Sequence, residues 1–333
     1  MKRVLITGSR GFIGSHLLAE LYNMRTDVRC LLHATGKNKN SFIHTQIKCF
    51  TINLLDLNCL LNCDAFNDVQ YIFHLTGITK GLTKRQFFEA NVIPTRNLLE
   101  TVRLRNLRLQ RFVFLSSQAA GGPATSLDLP KTPDDPSAPI EYYGCSKLEA
   151  ELLVKKYSRI IPITILRPSA VYGPGDRDFL KLFKMINTRL QVFWGNKDNF
   201  LSIIFVKDLI DGILKATFSE NSIGKTYYLC NDISLTWEDL INILFAIMEK
   251  RPLFTINLPS FVADISGYFG QLYSLITKKH ELLNLQKVKL GKPKYWICSN
   301  QCAKEDFGFE TQYSIEDGLR ITFDWYKRNR WIK

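Results

Sequence analysis

Residues 2–14, Lys-Arg-Val-Leu-Ile-Thr-Gly-Ser-Arg-Gly-Phe-Ile-Gly, carry an apolar run straight into a loop with glycines at 8, 11 and 14. Val4, Leu5, Ile6 and Thr7 have the character of a strand. Phe12, Ile13, Leu17, Leu18 and Leu21 then recur at helical spacing. A strand that enters a helix through G-x-x-G-x-x-G is tightly constrained. One glycine makes the sharp bend, one lets the backbone approach a diphosphate, and one lets the helix pack close to the strand. The diphosphate sits on the helix N-terminus, where unpaired N–H groups and the helix dipole favour an anion. The loop therefore predicts a dinucleotide site built from Gly8, Arg10, Gly11, Phe12, Ile13 and Gly14, holding NAD or NADP.

Strand-like and helix-like stretches alternate through the first half. Residues 28–32, 49–53, 71–75, 111–116 and 163–166 read as strands, and 12–22, 87–105 and 143–159 as helices. That alternation predicts an α/β fold, a doubly wound parallel Rossmann sheet with a smaller C-terminal substrate lobe. The expected division is 1–168 for the dinucleotide-binding domain and 169–202 with 231–333 for the substrate lobe. Residues 203–230 are expected to return to the sheet through strands at 203–209 and 226–229. The stretch 121–139, rich in proline, serine and aspartate, reads as a surface loop over the site.

A chain of 333 residues can bury a full core, and 46% hydrophobic with 23% charged residues is ordinary for a globular protein. The formal charge of +13 is high, but the basic residues are scattered apart from 103–111 and 327–330. A solvated basic surface is preferred over a nucleic-acid groove. Among eight cysteines, Cys59/Cys63 and Cys298/Cys302 lie four apart, with no C-x-x-C and no histidine pair, so no metal site is expected. Reduced thiols, a first strand at the N-terminus and no apolar run long enough to span a membrane point to a cytoplasmic protein. In 261–276, Phe261, Ile265, Tyr268, Phe269, Leu272 and Ile276 share one helical face, followed by Lys278 and Lys279. A lid helix on the substrate lobe is preferred there. Peripheral membrane contact by 261–279 is the lesser reading.

Tyr143 and Lys147, four apart at the start of a helical stretch, rise from one face. A free tyrosine, with a pKa of about 10, exchanges protons poorly near neutrality. A neighbouring ammonium favours the phenolate and suits the pair to acid–base work. Ser117 follows the apolar run Phe112-Val113-Phe114-Leu115 at a strand's carboxyl end, where a hydroxyl can hold a substrate oxygen whose charge changes during reaction. Ser116 is the alternative.

With these residues in order, the chain resembles an extended short-chain dehydrogenase/reductase of the NAD-dependent epimerase/dehydratase type. The likeness is carried by Thr7-Gly8-Ser9-Arg10-Gly11-Phe12-Ile13-Gly14, Phe73-His74-Leu75-Thr76-Gly77, the Asn91–Leu99 stretch, Phe114-Leu115-Ser116-Ser117 and Tyr143-Gly144-Cys145-Ser146-Lys147. It continues through Arg167-Pro168-Ser169-Ala170-Val171-Tyr172-Gly173-Pro174, Val206-Lys207-Asp208-Leu209 and the 318–326 stretch. The resemblance implies that Tyr143 is the general acid/base and that Lys147 lowers its pKa while binding the nicotinamide ribose. Ser117 would hold the substrate oxygen. Leu75, Thr76 and Gly77 would line the adenosine and diphosphate, and Pro168 and Val171 would border the nicotinamide.

The stretch 28–33 ends at His33 with no carboxylate, whereas an acid there usually binds the adenine ribose and selects NAD. Arg10, Lys37 and Lys39 suit the extra phosphate of NADP, which is therefore preferred over NAD. Asn53, before Leu54, stands where relatives often carry an aspartate that contacts adenine. Ala170 and Leu201 replace an asparagine and an arginine that sugar-nucleotide relatives aim at a diphosphate, and apolar side chains supply neither interaction. Phe179, Phe183, Trp194 and Phe200 suit a less polar ligand, and core packing accounts for them equally well. The expected activity is hydride transfer between NAD(P) and a secondary alcohol or ketone on a small molecule. The alternative is a nucleotide-sugar 4-epimerase or dehydratase with tightly held NAD. A non-catalytic dinucleotide sensor is a third reading. A homodimer is left open.

Overall fold

The computed structural model describes residues 2–33, 47–194, 196–258 and 285–332. Along the chain run β1 (Arg3–Thr7), α1 (Phe12–Asn23), β2 (Asp27–His33), β3 (Lys48–Ile52), α2 (Leu57–Leu61), β4 (Tyr71–His74), α3 (Lys84–Asn91), α4 (Ile93–Leu104), β5 (Arg111–Leu115), α5 (Gln118–Gly121), α6 (Tyr142–Lys156) and β6 (Ile163–Pro168). The second half adds β7 (Ala170–Tyr172), α7 (Phe179–Asn187), β8 (Leu190–Trp194), β9 (Phe200–Leu201), β10 (Ile203–Phe205), α8 (Val206–Phe218), β11 (Thr226–Leu229), β12 (Leu235–Thr236) and α9 (Trp237–Ile247). It closes with β13 (Phe254–Leu258), α10 (Leu285–Gly291), β14 (Tyr295–Trp296), α11 (Gln301–Phe307) and α12 (Ile315–Arg328).

Seven strands form one parallel sheet in the order β11-β6-β5-β4-β1-β2-β3. The period of two along each strand divides its side chains between two cores. Val4, Ile6, Tyr71, Phe73, Val113 and Leu115 face α1 and α8 through Leu17, Leu21, Leu209 and Ile213. Leu5, Ile72, Phe112 and Phe114 face α4 and α6 through Leu98, Leu99, Ala150 and Val154. The strand order reverses between β1 and β4, and the register sets Thr7 beside His74 at their carboxyl ends. Such a reversal opens a crevice that a ligand can enter.

Two sequence expectations need correction. The helix expected over 87–105 is two helices, α3 and α4, which meet at Val92. Pro94 lies in the first turn of α4, where its missing N–H is harmless, whereas inside one continuous helix it would remove a hydrogen bond. The strand expected over 203–209 stops at Phe205 and becomes α8. Val206, Leu209, Ile210 and Ile213 are the buried stripe of that helix, and the β-branched run before it masked their helical spacing. Nor does β10 return to the seven-stranded sheet, because it pairs in parallel with β7. Strand β11 does return, beside β6.

All eight cysteines are free thiols. Among the described residues no group of side chains is arranged to hold a metal, and no helix is long and apolar enough to cross a membrane. The segment 261–279, Lys37 and Lys39 lie outside the described residues.

One of the tight backbone approaches is at Gly14, where an added Cβ would lie 2.1 Å from the Gly8 carbonyl oxygen. Gly14→Ala should therefore lower stability by about 1–3 kcal/mol, the usual range for overpacking. It should also abolish dinucleotide binding. Thermal melting and a binding titration check the two effects together.

Candidate active site

The glycine loop joins β1 to α1 at the sheet's crevice. Gly8 has φ +77°, a left-handed conformation, and a Cβ there would lie 2.8 Å from the Leu75 carbonyl carbon. Gly8 thus lets the loop lie against the Leu75-Thr76 backbone. The Gly11 N–H donates to Gly8 O at 2.9 Å, and Gly11 caps α1 with no side-chain hydrogen bond and no acid in the first turn. The N–H groups of that turn remain available to an anion. Arg10 adds a buried Nε with no partner among the described residues. An orphaned cationic donor beside an uncapped helix start fits a dinucleotide's phosphates. Phe12 and Ile13 pack onto the core as α1 begins, with Phe12 edge-on to His16 at 5.5 Å.

Among the described residues, no carboxylate follows β2 directly. His33 Nδ1 accepts from the Leu54 N–H at 3.4 Å, and Leu54 is buried. The Asn53 side-chain oxygen accepts from the Leu55 N–H at 3.1 Å, so it shapes a turn. His33, Asn53 and Leu54 are thus brought together at the carboxyl ends of β2 and β3.

A buried polar ladder crosses beneath the crevice. The Thr76 N–H donates to Thr7 Oγ1 at 3.3 Å, and Thr7 Oγ1 lies 2.7 Å from His74 Nδ1. On the other side His74 Nε2 lies 2.8 Å from Thr95 Oγ1, whose hydroxyl donates to Asn91 O at 2.7 Å. Only one assignment uses every proton, with Thr7 donating to Nδ1 and Nε2–H donating to Thr95. Burial, helped by the Lys147 charge, pulls His74 down to about 3, which keeps it neutral. The Asn91 side chain accepts from the Ile78 N–H at 2.8 Å and donates to Ser146 Oγ at 2.8 Å. Ser146 in turn donates to Tyr143 O at 2.7 Å. The ladder connects the Leu75-Thr76-Gly77 loop to α6. A Cβ on Gly77 would sit 3.9 Å from Lys147 Nζ, so this loop reaches the catalytic candidates.

Helix α6 opens with Glu141 as its cap, which accepts from the Tyr143 and Gly144 N–H groups. Its Tyr143 and Lys147 face the end of β5. Ser117 caps α5, accepts from the Ala119 N–H at 3.2 Å, and its hydroxyl pulls the Tyr143 phenol down. Lys147 is 4% exposed, donates to Leu115 O at 2.7 Å and lies 4.3 Å from the Phe114 ring centroid. Burial pulls its ammonium down to about 8, against a weaker upward pull from Glu151. Tyr143 is partly exposed, yet burial pushes its phenol up to about 12, with Ser117 acting downward and Glu141 upward. The expected lowering of Tyr143 by Lys147 is not found: burial raises the phenol, and the downward pull comes from Ser117. Ser116 and Ser117 are separated by their surroundings: the Ser116 hydroxyl donates to buried Glu151, and Ser117 acts on the Tyr143 phenol.

Pro168 ends β6, buried beside Leu229, and Val171 lies partly buried in β7. Ala170 is exposed, whereas Leu201 is in the core. Phe183 is also core, stacked on Phe323 at 5.8 Å, and Phe179 packs against Tyr172. Phe200 stacks on Tyr295 at 6.1 Å. These aromatics fill the second half of the chain. Sequence reasoning gave no role to His74, Asn91, Glu151 or Arg167. His74 and Thr7 do share a strand-end register, and Glu151 continues the four-residue spacing of Tyr143 and Lys147.

A sequence model of the NAD dependent epimerase/dehydratase family matches residues 4–230. The UDP-glucose 4-epimerase of Vibrio cholerae is 23% identical over 96% of this chain and 94% of its own. The decarboxylating sterol-4-alpha-carboxylate 3-dehydrogenase of Homo sapiens is 25% identical over 100% of this chain and 90% of its own. Among solved structures, the UDP-glucuronic acid 4-epimerase of Bacillus cereus in complex with UDP-glucuronic acid and NAD superposes with a TM-score of 0.76. It is 24% identical and covers 98% of this chain and 99% of that one. The UDP-glucose 4-epimerase of Thermotoga maritima with UDP-glucose gives a TM-score of 0.80 at 20% identity, covering 98% and 99%. These structural likenesses establish the fold.

The Lys147 environment has a measurable signature. Its ammonium titrates at about 8 when folded and at the ordinary 10.5 when unfolded. Between those values the unfolded chain binds more protons, so this lysine's penalty on folding is relieved as pH rises. The melting temperature of the wild type relative to Lys147→Met should therefore climb from pH 8 to pH 10.5. A flat or falling difference contradicts the assignment.

Proposed function

The chain belongs to the NAD dependent epimerase/dehydratase family, and on that premise we propose that it moves a hydride between a nicotinamide dinucleotide and a secondary alcohol or ketone. The observation that carries this reading is buried Lys147, one helical turn from Tyr143 on α6, with its Nζ on the Leu115 carbonyl two residues before Ser117. When bound, the dinucleotide supplies the hydride acceptor or donor. The protein's part is to bind, orient and move a proton. Gly8, Gly11 and the first turn of α1 take the diphosphate, and Leu75, Thr76 and Gly77 lie along it. Pro168 and Val171 border the reactive end, where the Lys147 ammonium holds the ribose. Ser117 donates to the substrate oxygen and fixes it against Tyr143. With its phenol at about 12, Tyr143 is protonated at neutral pH, the form that gives a proton to a ketone oxygen. In the oxidising direction the same oxygen accepts the alcohol proton, helped by the ammonium and by Ser117. Residues 1–168 are assigned to the dinucleotide and residues 169–202 and 231–333 to the substrate.

NADP is the preferred dinucleotide. No carboxylate stands at the end of β2 beside His33, and the orphaned Arg10 Nε offers a charge-assisted donor to a ribose phosphate. The related structures carry NAD, which makes this preference a point to test. A second reading, epimerisation or dehydration of a nucleotide sugar with NAD retained, is favoured by the names of several relatives. Exposed Ala170 and core-buried Leu201 weigh against it, because neither can bind a sugar diphosphate.

Tyr143→Phe should cut turnover by about 10²–10⁴-fold, the usual contribution of a positioned acid/base. Dinucleotide affinity should stay within about twofold, and wild-type turnover in the variant contradicts the mechanism. Arg10→Ala should weaken NADPH and leave NADH nearly unchanged. Equal losses for both would remove the case for NADP. Recovery of an epimerised or dehydrated nucleotide sugar without net NADP reduction would replace the first reading by the second.

A further inference from the structure

Tyr143, Lys147 and Glu151 occupy successive four-residue steps on α6 and share one face. Opposite them lie three consecutive residues at the end of β5. Lys147 donates to Leu115 O at 2.7 Å and the Ser116 hydroxyl donates to Glu151, while the Ser117 hydroxyl acts on the Tyr143 phenol. The two hydrogen-bonded rungs would both break if α6 slipped by one turn. The Glu151 rung is fixed from a third direction. Arg167 on β6 donates through Nε to Oε1 at 2.9 Å and through Nη2 to Oε2 at 2.6 Å. Glu151 is fully buried and Arg167 is 2% exposed. Arg167 is itself held by Tyr228 on β11 at 3.0 Å and by Ser137 at 2.8 Å.

We propose that Glu151, clamped by Arg167, is a positioning residue that sets the register of α6 against the end of β5 and supplies the negative charge that Lys147 faces. It touches neither substrate nor dinucleotide in this reading and acts through Lys147 and Ser116. Around Lys147, β4 contributes neutral His74, β5 the Phe114 ring and the Leu115 carbonyl, and α6 Tyr143 and Glu151. Arg167 on β6 lies behind Glu151. Glu151 is therefore the nearby charge that opposes the effect of burial on the ammonium. Both oxygens of that carboxylate accept charge-assisted bonds from Arg167.

The consequence drawn for ribose binding rests on the proposed hydride-transfer reading, but the test does not. The Lys147 titration midpoint can be read by NMR of lysine side chains labelled at Cε, assigned with Lys147→Arg, in the protein without added dinucleotide. In Glu151→Gln the midpoint should fall by about one pH unit, the low end of what a neighbouring opposite charge contributes. Because that variant leaves Arg167 buried and unpaired, Glu151→Gln with Arg167→Met is measured beside it. The double variant should fold and shift the midpoint in the same direction by less. An unchanged or raised midpoint in the folded double variant overturns the proposal. NADPH titrations across the same pH range then report on ribose binding. If the midpoint falls and no dinucleotide binds, the hydride-transfer reading fails and the positioning role stands.

Discussion

The attachment of α6 to the carboxyl end of β5 is the interaction on which the candidate site depends. Strand β5 and the serine after it deliver a backbone carbonyl and a hydroxyl, and α6 answers with an ammonium and a carboxylate. Both hydrogen bonds are directional and buried, so neither can be exchanged for water without loss. The glutamate cap at the start of α6 and the Arg167 clamp near its middle hold the helix from two more sides. What results is a proposed proton-transfer group carried by a helix that is held on three sides.

The second constraint is the close approach at the glycine loop, which ties the dinucleotide crevice to that scaffold. Gly8 presses against the end of β4, and the ladder from Thr76 through Thr7, His74, Thr95 and Asn91 carries hydrogen bonds onward to α6. His74, buried and neutral, works there as a relay with one donor and one acceptor nitrogen. A charged histidine would break the order of donors in the ladder and would stand near the Lys147 ammonium. The low dielectric around these groups explains why Lys147 falls and Tyr143 rises. Both shifts disfavour the charged form of each group.

The parallel sheet and its crevice were legible in residues 2–14 and in the alternation that follows, because strand and helix periods differ so clearly there. Ser117, Tyr143 and Lys147 were singled out from strand-end position and helical spacing, and α6 carries Tyr143 and Lys147 to the end of β5, where Lys147 bonds the Leu115 carbonyl. The buried partners were harder to see. His74 reads as one more residue of an apolar strand until the register sets it beside Thr7. Glu151 reads as an ordinary helix-surface acid until β6 brings Arg167 across to it. Strand β10 was misjudged because β-branched residues run unbroken into α8. Pairings between distant segments decide such cases, and local pattern carries no record of them.

The most direct test of this account is a count of dinucleotide bound to the purified protein, before and after titration with NADP or NAD, identified by mass spectrometry of the denatured sample. The account predicts saturation at one dinucleotide per chain. A chain that binds neither dinucleotide at saturating concentration would contradict it.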